Sequence, residues 1–395
     1  MANIPGSLFS LGPRPDNGPA PYAWSAYRVL DRSHFQRSAE VRRELDDWFS
    51  RLPPKAAVQI AARFRDDNDI VHLGAFLELY VHELGLRMGA KIDIDVGNDE
   101  ADKRRPDFLL SWGDVEVYVE ATAIAGDDVN TARDKHHLDQ LYDAINAVTA
   151  PRFFVGVEVL KRGASTPPCR RLTARVQRWL ERLDPDVVLA DTAREPDNPH
   201  KRVIDLGEWA VRLQASAIQD DGHHFPHHRV VGTRFDGVGS IDDLTPLRRK
   251  FKRKAGHYGE LDKPYVLVAL AAGTFVDDRD VEHALLGPIG YRYDLDEQRL
   301  VGERQRDGAW IRDRGPVYTR LSGVLTLVNL SPAAVCAVEP TFWANPWAKR
   351  PLPHPGPWRC VEASPTGRTV EHERAQAIAD LFGLPQRWPT EPRER

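Results

Sequence analysis

The segment RRPDFLLSWGDVEVYVEATA sets two of its carboxylates, Asp107 and Glu120, in two apolar runs that flank Gly113 and Asp114. The alternation of apolar and polar residues predicts two short antiparallel strands joined at that turn. In such a pair Asp107, where one strand begins, faces Glu120, near the end of the other. Two converging negative charges repel unless a cation lies between them. The pair therefore predicts an oxygen-ligated divalent metal such as Mg²⁺ or Mn²⁺. Glu120 is the stronger member, because VYVEATA is apolar enough for a buried strand and a buried carboxylate needs a partner.

Upstream, in GAFLELYVHELGLRMGA, Leu73, Leu77, Tyr80 and Leu84 fall on one helical face with Glu78 at its border, so Glu78 can reach the edge of the same site. Downstream, Leu244, Leu247, Phe251 and Ala255 predict a helix whose polar side carries Arg248, Arg249, Lys250, Lys252, Arg253 and Lys254. Lys250, Lys254 and Tyr258 recur every four residues and share a stripe. A charge run of this kind is also what a solvated helix face looks like.

A helix with Glu, then Pro-Asp opening a strand, then Glu on the next strand resembles the PD-(D/E)xK nuclease superfamily, through Glu78, Pro106-Asp107 and Glu120. That pattern has Lys two residues after the second acid, where this chain has Thr122. In some relatives the Lys looks to have moved to a neighbouring helix shortly before a Tyr, and Lys254 with His257-Tyr258 is similar to that arrangement. The resemblance implies an α/β fold: a restriction-endonuclease-like core with a central mixed sheet flanked by helices, an N-terminal helical extension and C-terminal strand and loop additions. It implies Mg²⁺ or Mn²⁺ on Asp107 and Glu120, with Glu78 direct or through water and the Ala121 carbonyl as a further ligand, and catalysis by Asp107, Glu120, Lys254 and Glu78. Arg104, Arg105, Arg248, Arg249, Lys250 and Tyr258 would contact nucleic acid, DNA before RNA, and a homodimer is compatible with such a fold. The competing expectations are an inactive nuclease-like module that binds nucleic acid or protein, and a hydrolase of small phosphate esters.

Composition bounds these expectations. A formal net charge of −4 excludes a uniformly basic coat but not a local basic groove. Cys169, Cys336 and Cys360 are too few and too scattered for a disulfide framework, and no stretch has the length of a membrane span. Together with an N-terminus that lacks a basic start and an apolar run, this predicts a cytoplasmic protein without membrane attachment. The histidines of HHFPHH, residues 223–228, are interrupted by Pro226 and have no Cys or paired acid at ligand spacing; they are expected in an exposed loop.

Three regions are expected: an N-terminal arm and helix over 1–58, a nuclease-like core over 59–275 with an insertion around 184–241, and a C-terminal extension over 276–395. One helix is expected from Val29 to Leu52. RFFVGVEVL is expected as a further strand of the same sheet, and the Pro- and Trp-rich PTFWANPWAKRPLPHPGPW as a loop clamped to the body.

Overall fold

The computed structural model describes residues 6–14, 16, 18–94, 106–125, 129–194, 200–219, 229–235, 244–273, 276–294, 298–352, 356–364 and 369–390. The chain is α/β and divides into two compact units. One comprises Met1–Arg14, Ala26–Gly126 and Asp242–Arg395; the other comprises Pro15–Ser25 and Asp127–Ile241. The region with a separate core is thus longer than the insertion expected at 184–241.

The first unit is built on an eight-stranded mixed sheet. Its spatial order is Lys91–Ile94, Phe108–Trp112, Val115–Ala125, Tyr265–Ala272, Gly323–Val328, Thr341–Ala344, Arg359–Ala363 and Thr369–His372. The first three strands form an antiparallel meander, and the strands Val115–Ala125, Tyr265–Ala272 and Gly323–Val328 run parallel to one another. The sequence YVLVALAA is buried along nearly its whole length, as a strand covered on both faces must be. At the meander's tight turn, Trp112 pairs with Val115, and Gly113 adopts the positive φ of 57° that a two-residue hairpin needs.

Successive residues of the strand Val115–Ala125 serve different cores. Val117, Val119 and Ala121 pack with Leu77, Tyr80 and Leu84 of the helix Asp69–Arg87. Asn68 caps that helix by accepting from the Ile70 amide at 3.0 Å. Gly85 lets it lie close to the sheet, because a Cβ there would come within 2.9 Å of Ile92 Cδ1. On the opposite face, Tyr118 and Ile124 pack with Leu247, Phe251 and Ala255 of the helix Leu244–Ala255. That alternation sends the side chain of Glu120 toward the basic helix.

Two expectations are corrected. The segment from Val29 to Leu52 is not one helix but two, Ala26–Arg32 and Gln36–Ser50. Between them Arg42 Nη1 donates to the carbonyls of Leu30 at 2.6 Å and Ser33 at 3.0 Å, satisfying groups that end the first helix. The strand Phe153–Lys161 does not extend the large sheet. It lies in the second unit, in a four-stranded sheet ordered Lys201–Asp205, Ala210–Ala217, Phe153–Lys161 and Val231–Phe235. Its side chains alternate between buried and more exposed, which suits a sheet covered on one face; the place beside Val115–Ala125 goes to the uniformly apolar Tyr265–Ala272. The helices Val129–Asn146 and Cys169–Leu180 supply Leu141, Ile145, Leu172 and Val176 to this second core. Among the described residues no helix is long and apolar enough to cross a membrane.

Candidate active site

Glu120 is the centre of the site. It lies in the strand Val115–Ala125 opposite Leu267 of the parallel neighbour, and it is 2% exposed. Its carboxylate accepts from two donors on one segment: Lys254 Nζ bonds to Oε1 and the Tyr258 hydroxyl to Oε2. The four-residue spacing of Lys254 and Tyr258 lets both converge on one carboxylate at the end of the helix Leu244–Ala255. Burial, and then the negative charge of Glu120, pushes the Tyr258 phenol upward, so it stays protonated and donates.

Asp107 immediately precedes the strand Phe108–Trp112. Phe108 pairs with Val119, and one step further along this antiparallel register brings Asp107 opposite Glu120. Asp107 Oδ2 accepts from the Ala121 amide at 2.8 Å. Its acidity is strongly suppressed, with the pKa pushed up to about 8, first by burial, then by the nearby charges of Glu120 and Glu78. The Ala121 amide and Lys254 pull the other way and do not compensate. The Glu120 carboxylate therefore lies close enough to oppose the ionisation of Asp107.

Glu78 is near enough to add to this repulsion, yet its own carboxylate is gripped by both terminal nitrogens of Arg63, with Arg63 Nη2 to Oε2 at 2.7 Å. Arg63 belongs to the helix Pro54–Phe64, which lies against the helix of Glu78. Thr122 is buried and stands opposite Ala269. Lys250, half-buried one turn before Lys254, loses its proton more readily than usual, first through burial and then through Arg253 and Lys254, while Glu120 works against that. Arg248 points elsewhere: its Nη1 donates to the Asp307 carbonyl at 2.8 Å and pairs with the Asp307 carboxylate. Arg249 is exposed. Arg104, Arg105 and the histidines of HHFPHH lie outside the described residues.

Two contributors escaped sequence reasoning. Tyr265 opens the strand Tyr265–Ala272 and stacks edge-on against Tyr258 at 5.6 Å; its buried hydroxyl has no hydrogen-bond partner among the described residues. Burial, then Glu120, keeps this phenol protonated. Arg320 fixes the turn after the basic helix by donating to the carbonyls of Tyr258 and Gly259, the latter at 3.1 Å. The tyrosine was recognisable only as the first residue of a buried strand. Nothing in the local sequence around Arg320 marks it.

Among the described residues no group of three or more His, Cys, Asp or Glu side chains is gathered to hold a metal ion. The two-carboxylate pair still fits Mg²⁺, which is commonly held by one or two carboxylates, with waters and substrate oxygens completing its shell. The strain on Asp107 is what a divalent cation beside Glu120 would relieve. Compared with known proteins, the chain matches no family model, no curated protein and no solved structure.

Proposed function

We propose that this protein is a metal-dependent nuclease with a restriction-endonuclease-like core, hydrolysing phosphodiester bonds of nucleic acid, DNA before RNA. One observation carries the reading. Lys254, 134 residues beyond Glu120 in the chain, bonds to the Glu120 carboxylate beside Asp107, where it would supply the nitrogen missing at Thr122. Asp107 and Glu120 would hold Mg²⁺. When bound, the ion supplies a more acidic water and neutralises charge on the scissile phosphate. With an ion held there, Asp107 would be ionised, its proton passing to solvent. Lys254 orients Glu120 and stands ready for a phosphoryl oxygen, while the protonated Tyr258 holds the second oxygen of Glu120 in place. Lys250, in the same stripe, offers a second cation to the substrate.

A binding module without catalysis is favoured by a different observation: Arg63 already neutralises Glu78, and both oxygens of Glu120 have donors from the protein itself. Incubation with plasmid and with single-stranded DNA in Mg²⁺ or Mn²⁺ separates the two. The nuclease reading predicts metal-dependent cleavage that falls by about a thousandfold in Asp107→Asn and in Glu120→Gln. Cleavage unchanged in both variants removes the site. Retention in a salt-sensitive shift assay without cleavage in either metal assigns the binding module instead.

A further inference from the structure

We infer that the second unit carries a pocket for single-stranded nucleic acid, in which Arg178, Arg182 and Arg202 hold phosphates and Trp179 stacks on a base. The helix Cys169–Leu180 and the turn after it meet the edge strand Lys201–Asp205 around a cavity of about 430 Å³. Arg175, Arg178, Trp179, Arg182 and Arg202 line it, with exposed Val203 beside them. Among the described residues no acidic side chain lines this cavity.

The state of the guanidinium groups makes this a site rather than a charged surface. Arg175 Nη1 is anchored on the Asp205 carbonyl at 2.6 Å, and among the described residues Arg178 bonds through its Nε alone, on the Ala174 carbonyl at 3.1 Å. Arg182 and Arg202 have no side-chain hydrogen bond or ion pair among the described residues. Like charges gathered without counter-charges oppose one another, and a polyanion relieves that cost. The net charge of −4 means that this is a local concentration of charge, not a property of the whole chain.

Two features select the ligand. Arg175 and Arg178 on the helix and Arg182 on the turn after it line one side of the cavity over about 10 Å, longer than a single phosphate needs, so the ligand is a polymer. The half-buried Trp179 ring among them serves a base whose face is free, as in a single strand; in a duplex the bases are already stacked. This pocket rests on observations separate from the Glu120 site.

The test is fluorescence anisotropy of a labelled oligothymidylate with the full-length chain in EDTA, across a range of salt concentrations. Replacing Arg178, Arg182 and Arg202 together by Gln should weaken binding by about a hundredfold at low salt and make the log–log salt slope shallower by about 2. Trp179→Ala should weaken the single strand by about tenfold and leave a duplex of equal length unchanged. Circular dichroism of each variant checks the fold, which exposed arginines leave intact. Wild-type affinity and slope in the triple variant overturn the proposal. So does an equal loss for single strand and duplex in Trp179→Ala, or binding confined to phosphatidylserine vesicles. Binding is read in EDTA, where metal-dependent cleavage does not run, so a failure here and a failure of the nuclease reading register separately.

Discussion

The helices Leu244–Ala255 and Cys169–Leu180 are both dense in cations and both use an apolar face to seal a core, yet among the described residues only the first has cations held by carboxylates. On the first, Lys254 is committed to Glu120 and Arg248 to Asp307. On the second and the turn after it, Arg178 and Arg182 face a cavity that no acid lines among the described residues. Basic density along a sequence therefore says little about availability; what decides is whether the fold delivers a carboxylate to each cation. A paired cation is held in place by the fold, and an unpaired cluster is free to move to a ligand.

That contrast can be broken by stability measurements. Lys254→Met strands a buried carboxylate and should cost about 3–5 kcal/mol in chemical denaturation, whereas Arg178→Gln with Arg182→Gln should stay within about 0.5 kcal/mol of wild type. Comparable losses would erase the distinction. Next in size, Tyr258→Phe removes one of the two donors to Glu120 and should cost about 1–3 kcal/mol. Arg248→Gln tests whether every pair on the basic helix matters equally. Its partner Asp307 is largely exposed, so the loss should be below about 1 kcal/mol.

Titration sharpens the same point. Folded Asp107 keeps its proton up to about 8, whereas the unfolded chain releases it near 3.8. Between those values the native state binds the extra proton, so stability falls as pH rises through this window. Melting temperatures taken from pH 4 to 8 should show that decline in wild type and a flatter profile in Asp107→Asn. At pH 8, Mg²⁺ should raise the melting temperature of wild type and leave that variant unmoved.

Much of the first unit was legible because its signals are local. The stripe Leu73, Leu77, Tyr80 and Leu84 gives the helix Asp69–Arg87, and Gly113 with flanking alternation gives the hairpin that sets Asp107 against Glu120. The spacing of Lys254 and Tyr258 was enough to place them on one stripe. What stayed hidden is set by distant partners. The break at Ser33 depends on Arg42, the turn at Tyr258 on Arg320, and the sheet that Phe153–Lys161 joins on which strand best fills the central place. The arginines of Cys169–Leu180 were passed over because the apolar face of that helix explained its existence, and only the edge strand bringing Arg202 alongside makes them a pocket.

The parallel pairing of Val115–Ala125 with Tyr265–Ala272 has a consequence for biosynthesis. Glu120 leaves the ribosome 134 residues ahead of Lys254, on the order of ten seconds at ordinary elongation rates. Until then, the acid half of the site lacks its parallel neighbour and its basic helix while the inserted segment is made. The nascent chain thus has a built-in order of assembly: the arginine-lined unit can mature first, and the carboxylates can be enclosed only after it.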